Sequence, residues 1–203
     1  LSVSSRAFEF CFRADRVRSL RRYDNSVPLQ MNELAFLLWA SQGITARMGG
    51  HFLRTVPSAG ALYPIETYLV VEHVEGIDPG LYHFDAGHFQ LEKLPGKVRA
   101  ADAARVCLNQ DFLGDAHLVV FWTAVLRRSM AKYGERGFRY LFLDAGHICQ
   151  NLYLAATALG LGCCGIGAFF DSEVNGLLGL DGERETAVYM AAAGPVEEQA
   201  GAP

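Results

Sequence analysis

Arg54-Thr55-Val56-Pro57-Ser58-Ala59-Gly60-Ala61-Leu62-Tyr63-Pro64 runs directly into an apolar stretch, residues 65–71. That stretch reads as a strand. The Pro-Ser-Ala-Gly-Ala turn before it sets small side chains and free backbone N–H groups side by side at the strand's mouth. Small residues there let a flat ligand approach the main chain, and Pro57 and Pro64 stiffen the approach on either side. An ordinary loop before a strand would have the same letters, so the surrounding sequence decides what the turn is for.

Upstream, an arginine-rich entry (Arg13, Arg16, Arg18, Arg21, Arg22) precedes a helix over residues 31–42. Leu34, Leu37 and Leu38 give that helix an apolar face, and Gly43 is its stop. Residues 44–64 read as a loop. Downstream come a strand at 66–74, then a hairpin of 81–84 and 88–91 around Asp85-Ala86-Gly87. A short helix at 100–108 and a buried strand at 118–126 follow. The apolar stretch 140–161 predicts a helix of about 30 Å at 1.5 Å per residue. Asp144, His147, Gln150 and Asn151 interrupt it, which makes a bilayer crossing costly and a buried central helix the better reading. A helix apolar nearly all round needs cover on every face, from a wrapping sheet or a second subunit. Residues 163–169 are extended, Asp171 is a candidate cap for a short helix through 178, and 186–193 is the last strand. Helices and strands mix without a regular βαβ rhythm. This predicts an α+β fold, a mixed or antiparallel sheet packed with helices around the long central one. The chain reads as one domain, 1–203, with about 1–12 and 196–203 frayed.

The 203 residues are 51% hydrophobic and 20% charged, enough for a large core and too apolar for disorder except at the ends. A net charge of −4 argues against a nucleic-acid binder or a membrane-surface protein. Five cysteines, an odd number without framework spacing, point to reduced thiols in the cytoplasm.

Gly160-Leu161-Gly162-Cys163-Cys164-Gly165 matches the dinucleotide pattern G-x-G-x-x-G. That motif works only with a strand before the glycines and a helix after, so that pyrophosphate meets the helix N-terminus. Here the helix comes first, and a Rossmann site is rejected. The glycines instead end the helix and open the backbone at Gly165-Ile166-Gly167. Cys163 and Cys164 are adjacent and lack ligand partners, so they read as small buried residues. The six histidines form no metal-binding cluster, and no metal is expected. The arginines of residues 13–22 suit a phosphate, which guanidinium groups bind bidentately. A second basic group, Arg127, Arg128, Lys132, Arg136 and Arg139, precedes the central helix. Lys132, near Arg136 and expected to be buried, is a candidate base.

Three separated segments resemble the nitroreductase superfamily of flavin enzymes, and within it the SagB-type dehydrogenases that oxidise azolines in thiazole/oxazole peptide biosynthesis. They are Arg18-Ser19-Leu20-Arg21-Arg22-Tyr23, Pro57 to Pro64, and Lys132 to Tyr140 followed by Asp144-Ala145-Gly146-His147, Gln150-Asn151-Leu152 and Gly160-Leu161-Gly162. Together they span residues 18 to about 193. The resemblance implies a nitroreductase-like fold and a homodimer. It implies FMN, its phosphate on Arg18, Ser19 and Arg21, and its ring against Pro57, Ser58, Ala59 and Gly60 and the backbone of Cys164, Gly165, Ile166 and Gly167. It also implies a catalytic pair, Lys132 and Tyr133.

The implied reaction passes hydride between a substrate carbon and flavin N5, most simply in azoline-to-azole dehydrogenation of a small molecule or peptide, with a peptide-modifying complex as a partner. A reductase of nitroaromatics or quinones using NAD(P)H is the alternative on the same fold. A non-catalytic subunit that keeps the fold for assembly is the alternative of another class. Three departures matter. Ala61 and Tyr63 stand where nitroreductases have Asn and Gln, which suits the SagB-type branch. Residues 191–197 offer no basic side chain for the flavin phosphate, so Arg54 or the N-terminal arginines are expected to replace it. The extra N-terminal region of many peptide-modifying members has no match, which leaves leader-peptide docking without a sequence basis.

Overall fold

The computed structural model describes residues 16–197. Helix α1 (Met31–Gln42) stops at Gly43 as expected and leads into a hairpin of β1 (Ile44–Met48) and β2 (His51–Arg54). The sequence reading had a loop here. Its missed signal is Gly49-Gly50, whose φ values of +55° and +81° allow a two-residue hairpin turn that bends with the strands' twist.

The main sheet comprises β3 (Ile65–Val71), β4 (Gly80–Asp85), β5 (Gln90–Lys93), β6 (Leu118–Val125), β7 (Gly162–Ile166) and β8 (Glu185–Gly194). Their order is β5-β4-β3-β6-β8-β7, every pair antiparallel. Central strand β6 shows why its sequence is continuously apolar. Leu118, Val120, Trp122 and Ala124 enter one core, and Val119 and Phe121 enter the other. A strand buried on both faces has no solvent side to mark with polar residues. The first core lies under α1 and the long central helix; the second lies under α2 (Ala100–Val106) and the last helix.

Between β6 and the central helix the chain forms α3 (Leu126–Tyr133), which the sequence reading did not separate from its surroundings. Gly134, at φ +55°, turns the chain out of it. The central helix α4 (Gly137–Leu159) begins three residues earlier than predicted. A Cβ at Gly137 would lie 3.0 Å from Ser129 Oγ, so a glycine lets α3 and α4 meet closely. Gly160, at φ +75°, caps α4 in the left-handed conformation. Helix α5 (Asp171–Leu178) has Phe170 at its N-cap; Asp171 is its first residue and acts on the helix dipole instead of capping.

Helix α4 buries Leu141, Asp144, Ala145, Ile148, Cys149, Leu152, Ala155 and Ala156 on one side. The other side leaves Phe138, Phe142 and Leu143 exposed, at 44%, 60% and 52%. The sheet therefore covers about half of the helix, and the rest of its apolar surface is uncovered in the protomer. No helix among the described residues is long and apolar enough to cross a membrane.

Candidate functional site

The Pro57–Pro64 loop is pinned from inside. Ser58 Oγ donates to Asp144 Oδ2 at 2.6 Å and accepts the Tyr63 N–H at 2.9 Å, while the Ala61 N–H bonds back to the Ser58 carbonyl at 3.0 Å. Asp144 also accepts a backbone bond from Ala59. Burial pushes this carboxyl's pKa up, and the Ser58 and Ala59 bonds pull against that shift. Gly60, Ala61 and Tyr63 all have positive φ, at +66°, +53° and +43°. Two L residues in the left-handed region cost about 1–2 kcal/mol each, strain that only a tightly specified loop keeps.

Lys132 and Tyr133, on the last turn of α3, come directly against this loop. A Cβ added at Gly60 would sit 2.6 Å from Tyr133 Oη and 2.7 Å from Lys132 Nζ. Lys132 Nζ lies 5.4 Å from the Tyr133 ring centre, and Tyr140 packs edge-on against Tyr133 at 4.8 Å. The structure thus brings the expected catalytic pair to the expected flavin loop. It corrects one point: Lys132 is exposed in the protomer, so the burial expected of it is absent. The reason is its place on α3, a short helix that buries Ser129 and turns Lys132 to the outer side.

The N-terminal element and the glycine strand form a second group. Ser19 pairs with Cys163 in parallel, and the Leu20 N–H donates to the Cys163 carbonyl at 3.0 Å. Tyr153 ties them together, its hydroxyl 2.8 Å from Ser19 Oγ and accepting the Gly165 N–H at 2.6 Å. Gly165 therefore has no free amide to offer a ligand. Cys164 and Ile166 are buried, so only their backbone is at hand. Gly167 is exposed, and a Cβ there would meet nothing nearer than Tyr189 Cε2 at 3.9 Å. Arg18 and Arg21 are exposed, with the Arg21 guanidinium 5.7 Å from the Phe112 ring centre. Arg13 lies outside the described residues.

Arg54 is placed otherwise than expected. Its guanidinium donates to Gln42 Oε1 and stacks 5.0 Å from the Tyr63 ring centre, inside the protomer rather than with Arg18, Ser19 and Arg21. The physical reason is Tyr63: its hydroxyl accepts the Arg54 backbone N–H at 3.0 Å and holds β2 against the loop.

Sequence reasoning missed two residues of this arrangement. Asp144 had a signal, since a carboxyl inside an apolar helix needs a buried partner. Tyr153 had none. Asp144 and Tyr153 are nine residues apart on α4, so the two groups lie about 13.5 Å apart along its axis at 1.5 Å per residue. Cys107, Cys149, Cys163 and Cys164 are buried free thiols, and burial pushes Cys149 up to about 12. Among the described residues, no three His, Cys, Asp or Glu side chains converge on a metal position.

The model of the nitroreductase family matches residues 15–194. MJ1384 of Methanocaldococcus jannaschii, named as a nitroreductase, is 39% identical over 161 residues, covering 79% of each chain. The trifolitoxin-processing protein TfxB of Rhizobium leguminosarum bv. trifolii is 34% identical over 145 residues. That match covers 69% of this chain and 39% of TfxB. A crystal structure from Anabaena variabilis, also named as a nitroreductase, superposes with a TM-score of 0.80 at 33% identity, covering 97% of this chain and 40% of that one. The microcin synthetase McbBCD complex of E. coli, solved with truncated pro-MccB17 bound, matches in fold with a TM-score of 0.75 at 23% identity. It covers 98% of this chain and 74% of that one. With the strained loop, the Lys-Tyr pair and the glycine strand in one α+β fold, the chain belongs to the nitroreductase family of oxidoreductases.

Proposed function

We propose that the protein is an FMN-dependent dehydrogenase that oxidises a thiazoline or oxazoline ring to the aromatic azole, acting as a homodimer with the cofactor at the subunit interface. One observation carries this reading: Lys132 Nζ and Tyr133 Oη both abut the backbone of Gly60, in a loop whose strain and buried Ser58–Asp144 anchor fix a small-residue turn. The residues fit a flat cofactor with a phosphate tail. Gly167 presents exposed backbone without a side chain, and Arg18, Ser19 and Arg21 supply two cations and a hydroxyl beside the glycine strand. When bound, FMN supplies a two-electron acceptor for hydride.

The chain's own part is orientation and proton handling. Aromatising an azoline removes one hydride and one proton from adjacent ring atoms. Lys132 Nζ accepts the proton, and the Tyr133 hydroxyl beside it holds the ring heteroatom and relays the proton onward. The Ser58–Asp144 bond keeps the loop fixed while this happens. TfxB, named for trifolitoxin processing, and the McbBCD complex, named a microcin synthetase and solved with truncated pro-MccB17 bound, support a peptide substrate presented within a modifying complex.

The second reading, reduction of nitroaromatics or quinones by NAD(P)H, is favoured by the similarity to MJ1384. Purified protein is expected to be yellow. With an azoline peptide, Lys132→Ala should lose about 10²–10⁴-fold in rate while keeping its colour, the usual contribution of a general acid–base group. Fast reduction of nitrofurazone with NAD(P)H, untouched in Lys132→Ala, would replace the azoline reading with the reductase. Colourless wild-type protein would leave the non-catalytic subunit.

A further inference from the structure

Beside the strained loop, lined by its Ala61, Leu62 and Tyr63, lies a cavity of about 440 Å³ that the proposed chemistry does not use. Phe52 of β2, Tyr63 of the loop, Glu66 of β3, Asp85 at the end of β4 and Arg128 of α3 line it, and Arg54 reaches into it. Its volume is that of a small-molecule site. Its charges are unevenly committed. The Glu66 carboxylate is ion-paired with Arg128 and hydrogen-bonded to His83 Nε2 at 3.2 Å. Asp85 is tied to the Gly87 N–H at 2.7 Å and to His88 Nδ1 at 2.6 Å. Both carboxylates are thus neutralised by neighbours.

Arg54 feels the Glu66 and Asp85 carboxylates across the cavity, but neither is in ion-pair or hydrogen-bond contact with it. Its guanidinium meets a neutral amide oxygen, Gln42 Oε1, and the π-face of Tyr63. Its Nε is buried without a hydrogen bond among the described residues, and no carboxylate pairs with it. A buried donor on a permanent cation left unsatisfied is costly unless a ligand completes it. A second guanidinium, Arg47, lies 4.9 Å from the ring centre of Phe52, which lines the cavity. The uncommitted hydrogen-bond donor is therefore on a cation, and the surface beside it is aromatic.

We propose that this cavity binds a carboxylate carried on a flat apolar body, the carboxylate meeting Arg54 and the flat body lying along Phe52 and Tyr63. Such a ligand bears on the loop directly, because Tyr63 accepts the Arg54 backbone N–H and its carbonyl accepts Arg128 Nη1 at 3.2 Å. The inference does not rest on the azoline reading, since binding alone tests it.

The probe is benzoate, with benzamide as its neutral isostere. In calorimetric titrations of the intact protein, benzoate should bind at least about tenfold more tightly than benzamide, the expected gap for a charge-assisted contact. Arg54→Gln should erase that gap, while Arg184→Gln, an exposed arginine at another site, should leave it. Equal affinity for the two probes, or unchanged benzoate binding in Arg54→Gln, would overturn the proposal. If Arg54→Gln fails to fold, wild-type amide NMR decides. Benzoate should shift Phe52, Tyr63 and Gly87, and shifts confined to Ser19, Gly165 or Lys132 would reject the cavity as its site.

Discussion

Gly60 shows how much of this site rests on one missing side chain. At φ +66° it takes a conformation L residues reach only with strain, and its open side is filled by Tyr133 Oη and Lys132 Nζ. Gly60→Ala should therefore lower stability by about 1–2 kcal/mol through the backbone and push the Lys-Tyr pair outward, since both contacts are ends of flexible side chains. Urea unfolding reads the first effect. The second appears as a fall in rate larger than any loss of bound flavin. A variant as stable as wild type would show that the loop relaxes and is not held by Ser58 and Asp144. The loop's letters were legible as a small-residue turn, and so was the Lys-Tyr pair. The contact between them was not, because it joins residues more than seventy positions apart.

At the scale of elements, β3 and β4 are joined across their register by more than backbone. Tyr68 lies opposite His83, and the His83 ring bonds Glu66 on the same sheet face. The hydrogen bond His83 donates to Glu66 raises the His83 pKa, and Glu92, at 3.8 Å, and Glu185 add to it. The His83 bond and Arg128 hold Glu66 below the usual carboxylate range despite its burial. A histidine whose folded pKa is raised adds stability that is fully present below its unfolded value of 6.5 and is lost as pH rises through the folded value. Glu66 stays ionised down to below 4.5, which sets the lower edge of the window. The stability difference between wild type and His83→Gln should therefore be largest between about pH 5 and 6.5 and shrink toward pH 8.5. Chemical denaturation at the two ends checks it, and a difference independent of pH removes the pair from the account. Strand β6 was predictable from its apolar run alone, whereas α3 was not. It is amphipathic, with Arg127, Arg128 and Lys132 turned from Leu126 and Met130. At eight residues it is too short for that pattern to stand out, and its place is decided by Ser129 meeting Gly137.

The whole molecule leaves a seam uncovered. Phe138, Phe142 and Leu143 on α4 stand in solvent in the protomer, and Phe36 and Trp39 stack on each other at 6.3 Å on the outer side of α1. An apolar stripe of this kind on a protein's longest helix is the mark of an interface. In the proposed homodimer it closes against its counterpart and covers the exposed Lys132. Phe142→Glu should then convert the protein in sedimentation from twice the chain mass to the chain mass and release flavin with it. A flavin-loaded monomer in the wild type would end the dimer proposal.

Periodicity and turn chemistry were enough for the α+β class, the central helix, its glycine stop and the small-residue turn, because these depend on neighbours a few residues apart. Antiparallel order across six strands, the hold of Ser58 by Asp144, the bridge of Tyr153 between Ser19 and Gly165, and the capture of Arg54 by Gln42 and Tyr63 depend on segments far apart in the chain. A guanidinium reads the same in a sequence whether it will meet a phosphate or an amide. Only packing, which decides which polar groups lose water and must find partners, separates the two.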